Sequence, residues 1–405
     1  MSGTKQAAPA GSAPRPQQGG GDGPGRRLIT YLEPGGLGGG LPTAGTTVLA
    51  VAVALVLSSL LVAATGGSPS DAVRALFEGS LGGSTAWSST LLYTAPLLLV
   101  AVGACISTRA GVFNLGQEGQ LLIGALAGAW VALRLAVPGP ALLLIALVAA
   151  MVAGGAWAGL SSLMHRWRGV NIVVSTLLMT FLAQQLVAFA VTTPWLLQET
   201  RLGNATVSPQ SNKLPEGALL GSLGQYPNLQ INGGLLIALL AAVVIAVLIA
   251  RSRWGFRLTM LGLNPRAARH AGVRVAAMAG AALALSGAFA GLAGAILLTS
   301  PVGTNRLQAG ISTNIGWDGL LVALVARNRP LLAIPVALLF GVLRSGGGFL
   351  AATGVPAFLV DVVKSLLVLA FVIPPVAVAA VRRRKEARRA SAQAAPARVP
   401  EEAAL

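Results

Sequence analysis

The chain has 405 residues, 54% of them hydrophobic and 10% charged, with a formal net charge of +17. A soluble domain carries about 25% charged residues, so this composition excludes an ordinary water-soluble globule and points to lipid as the solvent. The basic residues sit in short clusters between apolar stretches, the pattern of loops in a membrane protein, which excludes nucleic-acid binding as the reason for the charge.

In chain order, residues 1–44 are rich in Gly, Pro, Ala, Ser and Gln, and a disordered cytoplasmic tail is expected there. No apolar core follows the first charges, so this is not a signal peptide. A hydrocarbon core about 30 Å thick takes roughly 20 apolar residues per helix. By that measure residues 45–381 form a transmembrane domain of ten helices, near 46–64, 90–107, 116–136, 139–163, 171–193, 233–250, 275–298, 316–326, 330–343 and 356–381. The eighth and ninth are short for a full crossing and fit broken or re-entrant helices, tolerated where protein or water covers the backbone. Residues 382–405 form a basic tail opening Arg382-Arg383-Arg384-Lys385, suited to anchor the last helix against anionic lipid. With the amino terminus inside, alternation places 22 of the 29 basic residues inside and six outside, with Lys364 within a span. The expected fold is therefore all-α and polytopic, with both termini cytoplasmic. The external segment 194–233 is polar and punctuated by Pro194, Pro209, Pro215 and Pro227, and suits a lid, a docking surface or a plain loop.

Two segments share the pattern N-[LI]-G-x-[ED]-G. One runs from Asn114 to Gly119 and the other from Asn314 to Gly319. They open the third and eighth predicted helices, five apart, which suggests an inverted five-helix repeat; such repeats place binding sites near their interface. Glu118 and Asp318 are acids near membrane depth, where a bare charge costs from about 2.5 kcal/mol upward. They either line a polar path or cap helix starts, where the backbone dipole favours a carboxylate. With them, Asn114, Gln117, Asn171, Ser175, Gln184, Asn314 and Trp317 are candidates to line a path for a polar solute. For the fifth helix, hydrogen bonding between helices is the alternative. Asp361 and Lys364, three apart on the last helix, read as a structural pair.

The segment 251–274 is the most informative cytoplasmic loop. Asn264 is a good N-cap, Pro265 suits the first helical position and Gly272 suits the stop, which predicts a short surface helix over 265–271. Gly262, Asn264, Pro265, Ala267, Ala268 and Gly272 are the candidates for contact with a partner. The chain has one cysteine, Cys105, in an apolar span, and two histidines, His165 and His270, both in basic loops. No metal-ligand spacing, nucleophile–base pair or G-x-x-x-x-G-K-[ST] loop is present, so neither an enzyme nor a cofactor bound by this chain is expected.

The sequence resembles the permease family of importers for simple sugars and nucleosides, related to the ribose and branched-chain amino-acid permeases, with the nearest likeness to the nucleoside-type branch. The residues that carry the likeness are the run from Arg109 to Gln120, the loop from Gly262 to Gly272, and the run from Pro356 to Lys364. The resemblance covers roughly residues 45–380. It implies a transmembrane subunit of an ATP-driven importer in a bacterial cell membrane. A second permease subunit, the same chain or a relative, would complete the pore. A cytoplasmic ATP-binding subunit would hold ATP and Mg²⁺, and an extracellular or lipid-anchored binding protein would deliver a nucleoside or simple sugar. The loop at 261–272 would be the helix that docks on the ATPase. Near Asn171 the chain departs from the family pattern, with Ile172 and Thr180 where the family commonly has Glu and Asn. A proton-coupled secondary transporter using Glu118, Asp318 or Asp361 is the alternative.

Overall fold

The computed structural model describes residues 40–64, 68–200, 208–226 and 229–352, with scattered positions between 362 and 384. The helices are α1 (Gly40–Ala64), α2 (Pro69–Leu81), α3 (Ser84–Arg109), α4 (Gln117–Arg134), α5 (Pro140–Arg168), α6 (Ile172–Thr192), α7 (Gly233–Arg251), α8 (Arg253–Leu263), α9 (Pro265–His270), α10 (Val275–Thr299), α11 (Ile315–Val325) and α12 (Pro330–Ala352). A small hairpin, β1 (Ser222–Tyr226) with β2 (Leu229–Asn232), pairs Ser222 with Asn232 and Tyr226 with Leu229.

Two helices form the centre. In α3 every residue from Leu97 to Ile106 is buried, the signature of an element surrounded by protein. In α10 the residues from Phe289 to Thr299 are buried likewise. Small residues let α10 touch its neighbours backbone to backbone. A Cβ added at Gly124 of α4 would lie 2.2 Å from Gly291 Cα, and one added at Gly154 of α5 would lie 2.4 Å from the Gly287 carbonyl oxygen. In lipid no hydrophobic force drives helices together, and such close approach supplies packing instead.

The outer helices are built inside out relative to a soluble protein. In α7 the inward stripe is Gly234, Ala238, Ala242 and Ile245, while Leu236, Leu240, Val243, Val247 and Leu248 are exposed. Small residues inward and large apolar residues outward fit a lipid-facing helix.

Ten crossing helices are not found. Six helices among the described residues are long and apolar enough to cross: α3, α5, α6, α7, α10 and α12. The physical reasons differ by element. Helix α11 has 11 residues, about 16 Å at 1.5 Å per residue, half of the hydrocarbon thickness. Helix α4 has 18 residues but carries Gln117, Glu118, Gln120 and Arg134. The apolar part of α1, Val48–Ala64, is shorter than any of the six. The ninth predicted helix is instead longer than expected, running past Leu343 through Arg344 to Ala352. The tenth is described only at scattered helical positions that include neither Asp361 nor Lys364, residues 40–44 of the expected amino-terminal tail belong to α1, and the rest of both tails except Arg384 lies outside the described residues, so the orientation of the termini and the five-helix repeat have no support here.

Candidate functional site

The residues between α3 and α4 reverse the chain and set the polar centre. Gly111 adopts φ +74°, the left-handed region that favours glycine. Asn114 then accepts from the Gly116 N–H at 3.0 Å and starts the approach to α4. Its amide also pairs with the Gln120 amide in both directions, at 2.8 and 3.0 Å, and donates to Ser286 Oγ of α10 at 3.0 Å. Gln117 donates to the same Ser286 oxygen at 3.1 Å and to the Val100 carbonyl at 3.3 Å. Thr176 Oγ1 of α6 accepts from the Leu115 N–H at 3.3 Å. Buried amides are costly unless satisfied; here they tie α3, α4, α6 and α10 together, with Gln117 Oε1 the one amide oxygen of the set that has no hydrogen-bond partner among the described residues.

The two repeated motifs meet. One Glu118 carboxylate oxygen accepts from the Gly316 N–H at 2.7 Å, the other from the Ser312 hydroxyl. A Cβ at Gly316 would lie 2.4 Å from Glu118 Cα, so a glycine is required for this contact. Glu118 thus caps the start of α11 from another helix. The turn before α11 is strained: Thr313 has φ +42° and Asn314 φ +73°, and a β-branched residue at positive φ is a genuine outlier. Arg344 of α12 holds this turn. It donates to the Ser312 carbonyl at 3.0 Å, the Thr313 carbonyl at 2.7 Å and the Thr313 hydroxyl, and pairs with Asp318 at 2.9 Å. Its guanidinium also lies 5.1 Å from the centre of the Tyr93 ring of α3.

The sequence candidates therefore divide. All four of Asn114, Gln117, Glu118 and Asp318 are buried, the first two in the hydrogen-bond set around Ser286 and the last two in the set around the 312–318 turn. Asn314 is exposed and Trp317 half-buried beside it. Ser175 is buried and donates to the Ile172 carbonyl at 3.1 Å within its own helix. Asn171 is exposed and caps α6 by accepting from the Val173 N–H at 2.9 Å, and Gln184 is half-buried farther along. Arg344, Ser312, Ser286, Gln120 and Tyr93 were missed. For Arg344 a signal existed: a charge inside an apolar run demands a partner.

The second group is the 251–274 segment. Asn264 caps α9, accepting from the Arg266 and Ala267 N–H groups at 3.1 and 3.2 Å, and Pro265 is its first residue. Gly272 ends it at φ +80°. Ala267 and Ala271 are exposed, but Ala268 is fully buried in the chain's own core. Gly262 sits against the first motif: a Cβ there would lie 2.2 Å from the Arg109 carbonyl oxygen. Arg109 also donates to Thr259 Oγ1 of α8 at 3.1 Å. One short stretch, from Arg109 to Glu118, therefore joins the α8–α9 segment to the polar centre.

A third polar group is formed by the 194–233 segment and the stretch after α10. Glu199 pairs with Arg306 and accepts from Gln210 at 2.8 Å, and Gln308 donates to Gln210 at 3.1 Å. The Gln210 amide, with Arg306, holds the Glu199 carboxyl below its ordinary value. Backbone bonds from Ser211 N–H to Leu307 and from Leu214 N–H to Asn305, both 2.9 Å, bind the 194–233 segment to the stretch after α10.

The family described as branched-chain amino acid transport system / permease component matches residues 87–372. The chain is 34% identical to the glucose ABC transporter permease protein TsgB13 of Haloferax volcanii, over 80% of this chain and 86% of that protein. It is 30% identical to the guanosine ABC transporter permease protein NupP of Bacillus subtilis, over 79% of this chain and 90% of that protein. It is 28% identical to the nucleoside ABC transporter permease protein NupB of Lactococcus lactis, over 79% and 88%. No solved structure matches. With six apolar helices of crossing length among the described residues, and by its family, the chain is a multi-pass membrane protein and a transport component rather than an enzyme. It belongs to the branched-chain amino acid transport system / permease component family.

Proposed function

We propose that this chain forms part of the import path for a nucleoside or a simple sugar. A separate cytoplasmic ATP-binding subunit drives it through the segment 251–274. The family and the glucose, guanosine and nucleoside permeases it resembles support the substrate class. The observation that carries the coupling is the contact of Gly262 with the Arg109 carbonyl. A push on α9 passes through α8 to the stretch ending at Glu118, and from there to the turn before α11 that Glu118 and Arg344 hold. A second permease subunit completes the pore, and an external binding protein delivers solute to the face formed by the 194–233 segment. Transport is the release and re-forming of the hydrogen bonds around the 312–318 turn, which moves exposed Asn314 and half-buried Trp317 relative to the solute path.

Ala267→Asp tests the docking role, because Ala267 is exposed whereas a charge at buried Ala268 would damage the fold itself. The variant should insert and remain monodisperse but lose ATP-driven uptake and the stimulation of ATP hydrolysis by substrate. Undiminished uptake would refute docking through α9. Calorimetry of the cognate binding protein with nucleosides and sugars decides the substrate. The proton-coupled alternative has little to stand on: Glu118 and Asp318 are each engaged by donors, and no cluster of three or more acidic, His or Cys residues occurs among the described residues.

A further inference from the structure

A basic cleft of about 580 Å³ opens between the end of α5 and the start of α10. Arg166, Arg269 and Arg274 line it, above walls of Val273, Val275, Ala276 and Ala277. The helices pack closely just below, where a Cβ at Gly280 would lie 2.7 Å from Ser162 Oγ, so the cleft is where they part. All three arginines are exposed. The ion pairs among the described residues are Arg74–Glu78, Arg306–Glu199 and Arg344–Asp318, and none involves the cleft. Three like charges face one space with no carboxylate among the described residues to balance them.

The depth of the cleft identifies its occupant. Helix α5 is a crossing helix of 29 residues, and Arg166 lies in its last turn. Leu160, Leu163 and Met164, just before it, are exposed and apolar, as lipid-facing side chains are. Trp167, next to Arg166, is 72% exposed, and tryptophan collects at the level of lipid headgroups. The cleft therefore lies at the membrane–water boundary with a basic rim and apolar walls. A free phosphate would use the rim alone. A lipid phosphate with its glycerol and the start of an acyl chain uses both.

We propose that the cleft binds an anionic phospholipid, its phosphate held by Arg166, Arg269 and Arg274. The site is separate from the solute path. Because Arg269 belongs to α9, the lipid steadies the position of that helix.

The test is titration of the purified full-length chain, in neutral detergent, with phosphatidylglycerol and with phosphatidylcholine, read by native mass spectrometry. Phosphatidylglycerol should be retained in clear preference. The Arg166→Gln, Arg269→Gln, Arg274→Gln variant should lose most of it, on the order of a hundredfold for three basic contacts. A control variant with Arg251→Gln, Arg253→Gln and Arg257→Gln removes equal charge outside the cleft and should keep the preference. Monodispersity on size exclusion checks both folds, and an Arg→Lys triple variant should retain part of the preference. Equal retention of the two lipids overturns the proposal. So does equal loss in the control variant, which means diffuse attraction to charge, or loss of the preference in millimolar inorganic phosphate, which means a free-anion site.

Discussion

Two ion pairs hold two turns of this protein, and they differ in how far water reaches them. Arg344–Asp318 joins α12 to α11 within the helix bundle, with both side chains 10% exposed. Arg306–Glu199 joins the 194–233 segment to the stretch after α10, with side chains 29% and 24% exposed. Charges in water gain little by pairing, about 0–1 kcal/mol for a surface pair. A buried pair is different in kind: removing one partner leaves a desolvated charge and costs about 3–5 kcal/mol. The inner pair is therefore a condition of the fold, and the outer one a clasp that water can replace.

Replacing Arg344 with Gln breaks the comparison most sharply. It removes the ion-pair partner of Asp318 and frees the strained turn at Thr313, so the folded, monodisperse yield in detergent should fall sharply, at a cost of up to about 3–5 kcal/mol. Adding Asp318→Asn should restore folding without restoring uptake, because the neutral pair leaves no bare charge but holds the turn less firmly. If the single variant melts like the parent, the inner pair is no more than a surface pair. Glu118→Gln comes next. The amide keeps one acceptor oxygen for two donors, so either the Gly316 N–H or the Ser312 hydroxyl loses its partner, at about 1–3 kcal/mol. A lower melting temperature with uptake reduced more than expression should follow.

Arg306→Gln should leave the melting of the bundle unchanged and loosen only the outer segment. Faster hydrogen exchange at residues 208–214 and 305–308 would show it. The smallest effect is on pH. The folded state holds the Glu199 carboxyl below its ordinary value of 4.5, so its contribution is complete above the unfolded value and fades as pH falls through the lower folded one. Exchange in the outer segment should rise as pH falls below about 4.5, and in Arg306→Gln that rise should be smaller and complete at higher pH. An unchanged rise would show that Gln210 alone sets the acidity.

The same contrast explains what the sequence revealed. Periodicity and capping are local, so Asn264, Pro265 and Gly272 gave α9 to within a residue of its end, and apolar runs gave the crossing helices α6, α7 and α10 nearly to their bounds, while α5 runs five residues past its expected end. The polar centre was legible as a set of residues but not as a network. Glu118 and Asp318 stood out because acids at membrane depth are rare, yet nothing local says that Glu118 caps another helix or that Asp318 belongs to Arg344. Arg344 was hidden by its context: followed by Ser345-Gly346-Gly347-Gly348 it looks like the end of a helix, yet α12 continues, with Arg344 paired to Asp318 and Ser345 donating to the Gly79 carbonyl of α2 at 2.8 Å. The fit of Ala268 into the core was likewise invisible, since alanine suits a surface and an interior equally. The outer segment looked like a loop because its order comes from pairing with residues nearly a hundred positions away.

The glycine contacts of α10 have a mechanical corollary. Where Gly124 meets Gly291 and Gly154 meets Gly287, the touching surfaces are main chain on both sides. Such a joint has no rotamers to exchange, and the side chains beside it, Ala158 against Gly287 and Ala288 against Gly155, have none either, so it resists yielding by small steps. Helices α4, α5 and α10 must travel as a solid block. Whatever bending a transport cycle demands then falls on the elements whose bonds run through side chains: the hydroxyl, carboxylate and guanidinium fastenings around α11 and α12.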